Sequence, residues 1–186
     1  MSGGCSSSRE APTAWPSPTR EVCPSGAVVT RHHEKRKESW RMSLRWRSYL
    51  WKEPHPALPG EIERIETTWG VRLPGEYKRL VSLYQGMTPV PNSFNIGRNS
   101  NALSVLLTVT EHPEHETYFI QHKYEVFQPH LPPRIYPFGD TPGGEPICFD
   151  YRESLEEPRI VLVSTEAQVY PVADSFQEFL AGLYDD

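Results

Sequence analysis

Four residues able to do chemistry crowd one short stretch: Asp140, Glu145, Cys148 and Asp150, within Ile135-Tyr136-Pro137-Phe138-Gly139-Asp140-Thr141-Pro142-Gly143-Gly144-Glu145-Pro146-Ile147-Cys148-Phe149-Asp150. Carboxylates gathered in this way can share acid–base work or grip a hard cation. The lysine that accompanies such acids in the common metal nucleases is missing from the neighbouring sequence, and hairpin ends carry acids because water reaches them. The cluster is expected to be a contact face for a partner or a solvated rim. In the contact reading Asp140, Glu145, Asp150 and Glu153 supply charge and Tyr151 an aromatic anchor.

A second chemistry is suggested by His112, His115 and His122. A His-x-x-His pair followed at a distance by a third histidine fits no tight zinc pattern, and Pro113 interrupts a shared helix face. Surface histidines are expected, with no metal and no cofactor. Cys148 sits in an apolar run, which predicts a buried, reduced thiol rather than a nucleophile. The chain has no Gly-x-Ser-x-Gly elbow, and Thr141-Pro142-Gly143-Gly144 lacks the Gly-Lys-Ser/Thr ending of a phosphate loop. No enzyme is expected from these residues.

The elements that must hold this stretch follow from the apolar spacing. Two β-rich runs around the Pro-Gly-Gly turn predict a hairpin, with Gly143 and Gly144 supplying positive φ. Before it, a helix is expected over Leu58–Val71, with Pro59 in its first turn, Ile62, Ile65 and Trp69 on one face, and Gly70 at its end. A second runs from Pro74 to Gly86 with the stripe Tyr77, Leu80, Val81 and Tyr84. Leu44–Trp51 predicts a short helix or packed lead-in, Thr88–Gly97 a loop into a strand near Phe94, and Asn99–Asn101 a break. Leu103–Val109 favours strand, and Glu114–Val126 a helix. After the hairpin come a buried strand at Arg159–Val163, another near Val169, and a helix capped by Asp174 that buries Phe176, Phe179, Leu180 and Leu183. The fold class is α+β: a mostly antiparallel sheet flanked by N-terminal helices and a packed C-terminal helix.

Charge separates the 186 residues into unlike parts. Residues 1–52 hold ten Lys/Arg against four Asp/Glu, which leaves about −11 for the remainder. Residues 1–41 are a basic Pro/Ser-rich extension expected to be disordered, 42–57 a lead-in, and 58–186 the folded domain. The start of translation at Met42 is an alternative for the extension, whose His32-His33 and Lys/Arg run is expected to be a solvated tail. An acidic body disfavours nucleic acid and suits a basic protein partner. No apolar run has the length of a signal-peptide core or a membrane span, so a cytoplasmic protein without membrane contact is expected.

Three pieces in order carry a resemblance: Leu73-Pro74-Gly75-Glu76-Tyr77 through Gly86, Pro137 through Asp150, and Ala173-Asp174-Ser175-Phe176-Gln177-Glu178-Phe179-Leu180. Together, over about Glu61 to Tyr184, they resemble the SUKH superfamily, which takes in a fungal cell-wall-synthesis regulator and many bacterial immunity proteins. The resemblance implies an α+β fold without catalytic residues. It also implies the role of antidote to a cognate protein toxin of a polymorphic or contact-dependent system. An intracellular regulatory scaffold is the alternative, and a hydrolase a more remote one.

Overall fold

The computed structural model describes residues 44–185. The basic extension, the alternative start at Met42, and Cys5 and Cys23 lie outside them. Helix α1 (Pro59–Trp69) begins where Pro59 fits a first turn, and the Glu61 carboxylate accepts the Leu58 N–H at 2.7 Å. It buries Ile62, Ile65 and Trp69, the residues at helical spacing. Helix α2 (Gly75–Tyr84) buries Tyr77, Leu80 and Val81. Glu66 ties the two helices together, accepting the Leu73 N–H at 2.7 Å and Lys78 Nζ at 3.0 Å.

The strands are β1 (Arg45–Ser48), β2 (Met87–Val90), β3 (Ser93–Ile96), β4 (Asn99–Ala102), β5 (Val105–Leu106), β6 (Ile135–Asp140), β7 (Pro146–Asp150), β8 (Arg159–Val163) and β9 (Val169–Ala173). Two antiparallel pairs, β1–β2 and β3–β4, stand beside a five-stranded antiparallel sheet of order β5-β6-β7-β8-β9. The remaining helices are α3 (Ile120–Phe127) and α4 (Phe176–Ala181). The fold is α+β, as the sequence predicts.

Strand alternation divides the large sheet into two faces. Tyr136, Phe138, Phe149, Ile160 and Leu162 join the helices in the main core, while Ile135, Cys148, Val161 and Val163 form a smaller cluster. Phe138 stacks on Phe149 with centroids 4.4 Å apart, and Tyr77 and Phe176 meet both rings edge-on. Each such aromatic pair contributes about 0.5–1.5 kcal/mol beyond its burial. Trp69 of α1 stacks on Tyr136 at 4.6 Å, and the Tyr136 hydroxyl donates to the Trp69 carbonyl at 3.1 Å.

Several expectations are corrected. The lead-in is strand β1, because Arg45–Ser48 finds its backbone partners in Met87–Val90, while Trp46 stacks on Tyr84 at 4.9 Å. Asn99–Ala102 is a polar strand paired with β3 and not a break. The helix expected over Glu114–Val126 divides at Phe119 (φ −72°, ψ 124°), after a 3-10 turn at Pro113–Tyr118. The division follows from pairing with Thr108, whose N–H donates to the Tyr118 carbonyl at 2.9 Å and whose carbonyl accepts the Ile120 N–H at 2.8 Å. Val126 is exposed and Ile120 is the buried residue. At the hairpin turn only Gly144 has positive φ, at 81°. Helix α4 is capped by Ser175, not Asp174: the Ser175 Oγ accepts the Glu178 N–H at 3.1 Å.

Candidate functional site

The β6–β7 hairpin does not bring Asp140 and Asp150 together. Asp140 pairs with Pro146 at the turn, whereas Asp150 pairs with Ile135 at the open end. At about 3.4 Å per residue the two stand roughly 14 Å apart along the strand. Asp140 and Asp150 therefore cannot work together as an acid–base or metal pair.

Asp140 is buried, and its Oδ2 lies 2.7 Å from Lys123 Nζ, donated by α3. Its Oδ1 is buried with no hydrogen-bond partner among the described residues. Burial raises the Asp140 pKa above the ordinary aspartate value, and the attraction of Lys123 offsets this only in part. Lys123 also reaches the Gly144 carbonyl at 3.4 Å and lies 5.2 Å from the centre of the Phe127 ring. The Thr141 Oγ1 accepts the Glu145 N–H at 3.1 Å, which fixes the turn from within. This end of the hairpin is a lock between α3 and the sheet.

Asp150 is also buried and is held by a forked pair: Arg152 Nε reaches Oδ1 at 2.9 Å and Arg152 Nη2 reaches Oδ2 at 2.7 Å. That hydrogen bonding raises the Arg152 pKa. Glu153 is different, with its exposed side chain 3.1 Å from Arg159 Nη1 across the base of the β7–β8 loop. Cys148 is a buried free thiol, and burial pushes its pKa well up, so it stays protonated.

The β7–β8 loop is the exposed acidic feature next to the hairpin. Glu153, Leu155, Glu156 and Glu157 are all exposed, Leu155 at 49 %. The Ser154 Oγ accepts the N–H groups of Glu156 at 3.3 Å and of Glu157 at 3.0 Å, so the loop is pre-shaped by its own serine. Carboxylates around one apolar side chain form a small contact surface, with no converging donors of the kind a small-molecule site requires.

The profile of the SMI1 / KNR4 family (SUKH-1) matches residues 56–182, which takes in α1, α2, the hairpin and α4. The chain belongs to the SUKH-1 family. No curated protein matches it.

Within this SUKH-1 domain Tyr151 cannot serve as the surface anchor expected from the sequence. Its side chain is fully buried, and its hydroxyl donates to the Arg72 carbonyl at 2.7 Å. Strand alternation after Phe149 turns it inward, toward the residues that follow α1. Of the five residues expected at the contact face, Asp140 and Asp150 are buried in ion pairs and Glu145 lies in the turn. Only Glu153 joins the exposed loop. Glu156, Glu157 and Leu155 are the residues that sequence reasoning passed over, and the signal for them was available: two adjacent glutamates before Pro158, outside any periodic stretch. No helix among the described residues is long and apolar enough to cross a membrane.

Proposed function

We propose that this SUKH-1 domain is an immunity protein that binds a basic protein toxin through its β7–β8 loop and silences it by occupancy, without catalysis of its own. The observation that carries the reading is the loop of Glu153, Leu155, Glu156 and Glu157, held in shape by Ser154. Exposed carboxylates suit a cationic cleft, where they take the places that phosphates of a nucleic-acid substrate would fill. Complementary charge speeds encounter and rejects acidic partners. Leu155 gives the surface an apolar centre, and a loop ordered before binding loses less entropy on docking. The acidic balance of the chain beyond residue 52 supports the same choice of partner.

The test is co-expression with the product of the gene directly upstream. A complex that co-purifies, and that abolishes both toxicity and the toxin's activity in vitro, supports the reading. Toxicity undiminished by an excess of this protein, with no complex formed, overturns it for that partner. Turnover by the purified domain that is lost with a single carboxylate substitution overturns the non-catalytic role.

A further inference from the structure

We propose that His112, Glu114 and His115 form a binding site for a zinc-like divalent cation. Their side chains each bring a donor atom to within 4.8 Å of the other two. Tetrahedral Zn²⁺ with bonds of about 2.0–2.1 Å places its ligands about 3.3 Å apart, so modest side-chain rotations close the site. Two imidazoles and a carboxylate are a donor set suited to Zn²⁺ and its neighbours, and too rich in nitrogen for Ca²⁺ or Mg²⁺.

These residues converge because the segment turns in 3-10 fashion, which sets residues three apart on one side: the His115 N–H donates to the His112 carbonyl at 3.0 Å. Pro113 opens a 3-10 turn, and His115 leaves helical geometry within it, at φ −129° and ψ 27°. The ring of His115 is thereby brought to the ring of His112, with centroids 5.4 Å apart. The backbone of this segment is anchored at both ends. Thr108 closes it through Tyr118 and Ile120, and fully buried Gln85 holds the N–H groups of Val109 at 2.9 Å and Thr110 at 3.2 Å. The same Gln85 donates to the His55 carbonyl at 2.9 Å.

The surroundings also favour a cation. Between Thr110 and His122 the chain carries three glutamates and no lysine or arginine. Trp51 walls one side, stacked on His55 at 4.6 Å and edge-on to His115 at 5.3 Å. His112 Nδ1 accepts the Glu114 N–H at 3.3 Å, a long contact. It ends whichever ring nitrogen takes the ion, because Nδ1 then either holds the metal or carries the ring proton. His122 stands apart, 3.5 Å from Glu116, and is not a ligand. Three protein ligands leave a fourth position for water.

The experiment is calorimetric titration of the full chain with Zn²⁺, with long-range ¹⁵N spectra of histidine to identify the ligands. The expected result is one Zn²⁺ bound with shifts at His112 and His115 and none at His122. His112→Ala with His115→Ala weakens that binding by a hundredfold or more, Glu114→Gln by about tenfold, and His32→Ala with His33→Ala leaves it unchanged. Absence of Zn²⁺ uptake overturns the site. So does uptake that survives the His112/His115 pair of substitutions in a variant whose circular dichroism is that of the wild type.

Discussion

Lys123 of α3 and Asp140 of β6 are joined Nζ to Oδ2 at 2.7 Å, with both side chains almost wholly out of water. Removing one member of such a pair strands the other. Lys123→Met is expected to cost about 3 kcal/mol in urea unfolding. Combining it with Asp140→Leu recovers most of the loss, because no charge is then left buried. A double variant no more stable than the single one would contradict the coupling.

The same pair makes a statement about acid stability. Because burial raises the Asp140 pKa, the folded chain holds that proton more tightly than the unfolded chain does. The stabilising contribution is complete below the unfolded aspartate value and is lost as pH rises through the raised folded value. Asp140→Asn does not titrate, so wild-type stability measured relative to it is expected to fall across that acid window. A pH-independent difference would show that Lys123 fully compensates burial.

Tyr151→Phe keeps the buried ring and removes the hydroxyl that bonds the Arg72 carbonyl at 2.7 Å. A loss of about 1–2 kcal/mol in thermal or chemical unfolding is expected, since a carbonyl is left without its partner. Affinity for a protein partner is expected to be unchanged. A large affinity loss at unchanged stability would restore the anchor role to this residue.

Gly86 has φ +70°, and a methyl group there would meet Trp51 ring carbons at 2.5 and 2.9 Å. Gly86→Ala therefore adds left-handed strain to overpacking, and about 2–3 kcal/mol of destabilisation is expected. Fluorescence of Trp51, isolated in a background where the other tryptophans are replaced, is expected to change as its ring is displaced.

Elements whose residues satisfy their own periodicity could be read directly. Ile62, Ile65 and Trp69 lie one helical face apart, and Pro137–Asp150 carries its turn between two apolar runs. Elements defined by distant partners could not. Arg45–Ser48 is a strand only because Met87–Val90 lies beside it, and polar Asn99–Ala102 only because β3 offers a ladder. The hairpin acids misled for a related reason. Closeness in sequence suggested one cluster, but antiparallel pairing sends Asp140 and Asp150 to opposite ends, and alternation turns Tyr151 into the core. Pro113 argues against a shared helix face, and the 3-10 turn it starts brings His112 and His115 together without one.

The β7–β8 loop, and not the buried hairpin acids, is where charge reversal should report on binding, since Asp140→Lys or Asp150→Lys would disturb folding first. The most direct test of partner occupancy through this loop is the association rate of the domain with its toxin, followed against ionic strength, for the wild type and for Glu156→Lys with Glu157→Lys. The wild-type rate is expected to fall steeply with salt, and the variant to be at least about tenfold slower at low salt with a flatter dependence. Equal rates and equal salt dependence for the two proteins would contradict that occupancy.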